Sequence, residues 1–216
     1  MKKSILLLLP LILTLGACNN KNNKPSWGET STKTIVFKGD KNRSGLGGGS
    51  QLGTEAFDNA LTSLINEQAD NSLTKLGGKK CGTQLVGGDS GTNTSLTIGT
   101  GSYDGLIYFT FNLDIVKIDV TLQNYYKPHH DYQTGQDVSG IDANAEVTIC
   151  SYDPSGDGTV IEKKEVDLST EDVVNVPTER EETLELKEKT NTIAFYNSAE
   201  KHRTYIHSLT ITYLVE

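Results

Sequence analysis

The run His129-His130-Asp131 gathers metal-capable side chains more densely than any other part of this chain. Adjacent histidines on an extended backbone point to opposite sides and seldom ligate one ion together, so no metal is expected there. Asp153-Pro154-Ser155-Gly156-Asp157-Gly158 places carboxylates at positions one and five of a twelve-residue calcium loop and glycine at position six. The twelfth position is Lys164, where a bidentate glutamate is needed, so a hairpin turn accounts for these residues better than a calcium cage. Gly45-Leu46-Gly47-Gly48-Gly49-Ser50 follows a strand-like segment, as a phosphate loop would. Ser50 occupies the place of the third glycine in G-x-G-x-x-G, and no Gly-Lys-Ser/Thr follows. The stretch reads as a loop, and no cofactor is expected.

Binding chemistry is better served by Tyr125-Tyr126-Lys127-Pro128-His129-His130-Asp131-Tyr132, three tyrosines and several hydrogen-bonding groups in one segment. Flat rings stack on the apolar faces of sugars while polar tips orient hydroxyls, so Tyr125, Tyr126, His129, His130, Asp131 and Tyr132 form a candidate glycan site. The alternative is that Tyr125 and Tyr126 finish the preceding strand and pack on its edge.

Gly88-Asp89-Ser90-Gly91 resembles the nucleophile motif of chymotrypsin-like serine proteases, and Gly88-Asp89-Ser90 also resembles the start of a lipase family. Both resemblances fail elsewhere in the chain. Thr92 replaces the third glycine of the protease motif, and His129, His130, His202 and His207 all follow Ser90, whereas that fold places its histidine first. The lipase family's D-x-x-H is missing too: Tyr126, Lys127, Ala199 and Thr204 stand three before the histidines. No catalytic residues are assigned, and the chain is not expected to be an enzyme.

The address of the protein is written in its first eighteen residues. Lys2 and Lys3 precede an apolar run from Ile5 to Leu13 that is too short for the roughly 20 residues of a membrane helix, which reads as a secretory signal. Leu15-Gly16-Ala17-Cys18 resembles the lipobox of bacterial lipoproteins. The resemblance implies removal of residues 1–17, lipidation of Cys18 with palmitate-like acyl chains, and a membrane-anchored domain facing outside the cytoplasm. Two or more acyl chains suffice for stable anchoring. Loss of the signal takes two lysines away and moves the formal charge from -8 to -10. So acidic a chain argues against nucleic acid and against anionic lipid heads as partners. Residues 18–33 read as a lipidated, disordered tether of asparagine, lysine and small polar residues, with a reach of about 20 Å. Trp27, the single tryptophan, stands in this stretch and is expected to pack on the domain edge.

Residues 34–216 read as one domain. Thr34-Ile35-Val36-Phe37-Lys38 is strand-like, and near residues 54–69 the period changes to that of an amphipathic helix, with Phe57, Ala60, Leu61, Leu64 and Ile65 on one face. Thr54 can cap it, and Glu55 and Asp58 suit its first turn. After Ser95 the pattern is period two: Ile107, Phe109 and Phe111, then Val116, Ile118, Val120 and Leu122, then further pairs to the closing Leu209–Val215. Many such strands with no helices between them imply a mainly β fold, an antiparallel β-sandwich. Tyr103-Asp104-Gly105, Lys117-Ile118-Asp119-Val120 and Tyr205-Ile206-His207-Ser208-Leu209-Thr210-Ile211-Thr212-Tyr213 give the chain a resemblance to jelly-roll domains of the galactose-binding-like and carbohydrate-binding-module type. That resemblance implies a jelly-roll sandwich over residues 34–216. The helix and the wide loop from Tyr125 to Asn144 depart from it.

Once Cys18 carries lipid, Cys81 and Cys150 are left, and an exported pair can form a disulfide. Such a bridge would contribute about 4 kcal/mol in the chain-entropy model. Against it, Val147 and Ile149 set the inward face of their strand and leave Cys150 outward, so the pattern leaves the pairing open. Two functions remain: a non-catalytic surface module that binds a glycan or a host or cell-wall protein, and an accessory envelope lipoprotein that binds another protein through a sandwich face.

Overall fold

The computed structural model describes residues 25–88, 91–133, 135–138, 140–171, 176–198 and 202–215. Residues 1–17, Cys18, residues 19–24, Asp89 and Ser90 lie outside it, as do the side chains of His129, His130 and Asp131. The elements in chain order are β1 (Thr30–Val36), β2 (Gly39–Asp40), α1 (Glu55–Gln68), β3 (Leu73–Lys79), β4 (Cys81–Leu85) and β5 (Asn93–Ile98). They continue with β6 (Leu106–Asn124), β7 (His129–Asp131), β8 (Gln136–Val138), β9 (Glu146–Asp153), β10 (Thr159–Asp167), β11 (Arg180–Tyr196) and β12 (Thr204–Leu214).

The expected mainly β, antiparallel fold with a single described helix is what forms. Two long strands, β6 and β11, run side by side through the whole body. Their ladder is broken between Glu185 and Thr192 of β11, and the pair bends there. Beyond the bend, residues 106–111 of β6 and 192–196 of β11 sit in the order β10-β9-β11-β6-β3, which we call layer A. Before it, residues 115–124 of β6 and 180–185 of β11 join β12 and β1 in layer B, and β5 extends the other end of β12 toward β4 and β2.

Alternation along these strands decides what is buried. Ile107, Phe109, Ile193, Phe195, Val147 and Ile149 point inward from layer A, and Ile118, Val120, Leu122, Leu184, Leu209 and Ile211 from layer B, into one core. Phe109 carries the join between layers, with ring centroids 6.0 Å from Phe37 and 6.4 Å from Phe195. Helix α1 closes the core against β1 and β3 with Phe57, Leu61 and Ile65, the predicted face. Thr54 sits at the N-cap in extended conformation, but its hydroxyl donates to the Gln51 carbonyl (2.7 Å) instead of accepting from the helix. Asp58 accepts the backbone N–H of Gly53 (2.9 Å), which ties the residue before the cap to the first turn, and its charge suits that end of the helix.

The structure extends the sequence reading at two places. β1 begins at Thr30, so residues 30–33, read above as tether, pair with β12 because Thr30, Thr32 and Thr34 continue its outward polar positions. β3 and β4 form between the helix and Ser95, a stretch to which the sequence reading assigned no strand. Gly77 and Gly78 lie within β3 and pair with β6 like its other residues.

Candidate ligand-binding faces

Because inward and outward residues alternate, each layer presents a second face away from the core, and the two differ. On layer A one ladder row runs Lys163–Cys150–Ala194–Tyr108–Gly77 across five strands, and the next runs Glu165–Thr148–Tyr196–Leu106–Lys79. Tyr152 stands two residues beyond Cys150 on the same side of β9. Tyr108, Tyr152 and Tyr196 are half-buried, while Ala194 and Cys150 between them are fully covered although they point away from the core. Small residues beneath, rings above: that is how an outward cysteine is sealed from water.

Glycines make the room for those rings. A Cβ at Gly77 would stand 2.3 Å from the Tyr108 hydroxyl, and one at Gly158 would stand 1.8 Å from the Tyr152 hydroxyl. Both phenols therefore lean onto neighbouring backbone that carries no side chain. Their centroids lie 5.6 Å apart with planes inclined at 36°, a tilted aromatic pair. The Lys75 ammonium stands 5.6 Å from the centre of the Tyr108 ring. Thr192 donates to Thr110 (3.0 Å), adding hydroxyls beside the pair. Burial, then Tyr108 nearby, pushes the Tyr152 phenol above its ordinary range, so it stays neutral and able to donate.

Layer B has a different outer face. Its rows are Thr34–Thr210–Asp119–Thr183, Thr32–Thr212–Lys117–Glu185 and Val36–Ser208–Thr121–Glu181. Hydroxyls and charges satisfy one another there: Thr34 with Thr210 (2.9 Å), Thr121 with Ser208 (2.8 Å), Thr183 onto Asp119 (2.5 Å) and Lys117 with Asp119 (2.8 Å). At one end Pro25 and Trp27 border a groove of about 690 Å³ with Val116, Leu186 and Lys187. Val116 is the extra residue of a bulge between Ile115 and Lys117 and is buried outside the main core.

The predicted tyrosine loop is divided by the structure. Tyr125 and Tyr126 are buried and pack with Tyr205 at centroid distances of 5.3 Å and 6.3 Å. The Arg203 guanidinium lies 3.7 Å from the Tyr125 centroid, held by a bidentate bond to Asp142 (2.6 and 2.8 Å). Neither ring faces solvent as a platform. They end β6 and pack on its neighbour, because Tyr205 of β12 sits opposite Gln123 and draws them in. Tyr132 is 91% exposed, outside the buried cluster of Tyr125, Tyr126 and Tyr205. His129, His130 and Asp131 form the short strand β7, paired with β8, within the wide loop.

Cys81 and Cys150 are not joined. Each is buried as a free thiol, with Cys81 donating to the Lys79 carbonyl (3.3 Å) and Cys150 to the Ala194 carbonyl (3.6 Å). They belong to β4 and β9, strands at opposite sides of the folded sheet, which is why they do not meet. Burial pushes both thiols up to about 12. A third polar site is fully internal: His207 bonds Ser95 (2.9 Å) and Gln123 (2.8 Å) through its two ring nitrogens. Burial, then the charge of Lys38, lowers it to about 4, so it is neutral at pH 7. Among the described residues no three His, Cys, Asp or Glu side chains converge as a metal site.

The sequence did not reveal Tyr108, Tyr152 and Tyr196 as one group, since they come from three strands. The available signal was an outward tyrosine on each strand with glycine, alanine or cysteine at the facing positions. No family model and no curated protein matches this chain. Among solved structures it is similar to a family 29 carbohydrate-binding module from Piromyces equi, with a TM-score of 0.41, 11% identity, and 86% of this chain and 92% of that one covered. It is also similar to a second family 29 module (TM-score 0.42, 9% identity, 86% and 90% covered). The cleaved K2 adhesin domain of Lys-gingipain is similar at a TM-score of 0.36 and 15% identity, over 63% of this chain and 88% of that one.

Proposed function

We propose that this chain is a non-catalytic binding module that holds a glycan against the tyrosine face of layer A. The observation that supports it is the placement of Tyr108 and Tyr152 over glycines, a pair of rings leaning onto the sheet and half open to solvent. Sugar rings carry apolar C–H faces that stack on such aromatics, and the hydroxyls of Thr110 and the phenols supply the orienting hydrogen bonds, Thr192 holding Thr110 from below. A glycan-array screen of the protein beside Tyr108→Ala and Tyr152→Ala tests this. Binding should fall at least tenfold in each variant, the scale of roughly 1.4 kcal/mol or more per stacking ring. Tyr132→Ala should bind as the parent does. Binding that survives both layer A variants, or no binding on a broad array, sinks the reading.

The lipobox leads us to place the module on a bacterial membrane, tethered by acyl chains on Cys18 and facing outside the cytoplasm. Labelling cells with an alkyne-bearing palmitate should mark the protein, and Cys18→Ala should abolish both the label and its partition into detergent. A second reading, an accessory lipoprotein that binds an envelope protein, is favoured by the Trp27 groove on layer B, where an aromatic ring and the buried Val116 border open space. Trp27→Ala should then weaken a pull-down that Tyr108→Ala leaves intact.

A further inference from the structure

The lysines of layer A are not equal. Lys79 is paired with Asp104 (3.0 Å), Lys163 with Glu165 and Lys189 with Asp114. Lys75 and Lys80 instead stand over tyrosine rings, 5.6 Å from the centre of Tyr108 and 4.7 Å from that of Tyr103, and neither has a carboxylate partner among the described residues. Lys75 borders the same ring that leans onto Gly77. A sugar stacked on Tyr108 would thus bring its exocyclic group toward an ammonium that pairs with no carboxylate among the described residues.

We infer that the glycan taken by the tyrosine face is an acidic one, bearing carboxylate or sulfate groups that Lys75 receives. This rests on the proposed reading of that face and adds the chemical class of its ligand. Acidic groups do stand around this face, but Asp104, Glu165 and Asp114 are each taken by Lys79, Lys163 and Lys189, and Asp153 lies at the Tyr152 end, so Lys75 beside Tyr108 is the ammonium left to meet an anion. A charge-assisted hydrogen bond in a partly dried site separates an anionic from a neutral sugar by about tenfold. Long-range repulsion from the rest of the chain is screened beyond about 8 Å at physiological salt.

The full lipidated chain, solubilised in detergent, would be tested against matched pairs: β-1,4-mannan and β-1,4-mannuronan, xylan and glucuronoxylan, dextran and dextran sulfate. At least one acidic member should bind about tenfold tighter than its neutral partner, with the preference shrinking in high salt. Lys75→Gln should bring acidic binding down to the neutral level, Lys75→Arg should keep most of the preference, and Lys117→Gln on layer B should change nothing. Neutral members bound as well as acidic ones would overturn the inference and leave the glycan reading standing. Acidic binding that persists in both Tyr108→Ala and Lys75→Gln would place the anion elsewhere and overturn both, as would no binding to any pair.

Discussion

On the outer face of layer B the central positions are Thr210, Asp119, Thr183 and Lys117, each already bonded to a neighbour. The corresponding positions on layer A are Tyr108, Ala194, Cys150 and Gly77. Both faces are produced by the same period-two alternation, and both are antiparallel ladders over the same core. The difference is in what the side chains meet: layer B carries mostly hydroxyls and charges that bond one another, whereas layer A mixes large rings with glycine and alanine, so its rings lean and partly cover what lies between. A face of uniform polar groups saturates itself. A face of unequal sizes leaves aromatic surface half open.

The comparison breaks most sharply where layer B is roofed over. Asp142 is the partner of Arg203, which lies on Tyr125 above the upper end of β12. Asp142→Ala leaves that guanidinium without its counter-charge in a half-buried place and should cost about 3 kcal/mol in a denaturant titration. The matching cut on layer A, Asp104→Ala, frees an exposed lysine and should cost under about 1 kcal/mol.

Acid should separate the two regions next. His207 lies in the covered end of layer B with a folded value near 4, against an ordinary 6.5. A base whose folded value is depressed holds fewer protons in the native state, so its contribution is full above about 6.5 and is lost as pH falls toward 4. The loss over that window is about 3 kcal/mol at most, and His207→Gln should flatten it in thermal melts taken across the same range. A slope that survives the substitution would assign the effect to other groups.

Size is the next test. Ala194→Leu places a larger side chain beneath the tyrosines of layer A and should cost about 2 kcal/mol through overpacking. Thr210→Leu, at a half-exposed position of layer B, should stay within about 0.5 kcal/mol. Thiol labelling gives an independent readout. Cys150 should be inert in the parent and react in Ala194→Leu, where the lifted rings admit reagent, while Cys81 stays protected in both.

The contrast between layers also shows what was legible in the sequence. Inward positions such as Ile107, Phe109 and Ile118 are a matter of local alternation, and the single helix follows from the period of Phe57, Leu61 and Ile65. Ladder register is not local. Tyr108, Ala194 and Cys150 form a row only because β6, β11 and β9 pair in one alignment, so the tyrosine face was invisible until those strands were set side by side. Density along the chain misled in the other direction. Tyr125 and Tyr126 are neighbours in sequence, yet both are drawn inward by Tyr205, a residue far along the chain.

The smallest expected effect is the most demanding check of the contrast. Asp119 on layer B accepts from Thr183 (2.5 Å) and pairs with Lys117 (2.8 Å), with side chains about a third exposed. Asp119→Asn keeps an acceptor for the threonine and removes only the charge, so the cost should be about 0.5 kcal/mol or less and should vanish in 1 M salt. Glycan binding should not move. If stability instead falls by more than about 1.5 kcal/mol, or if binding weakens, the hydroxyl face is a coupled network and not a saturated surface. Layer B, not layer A, would then be the face whose groups are held in readiness for a ligand.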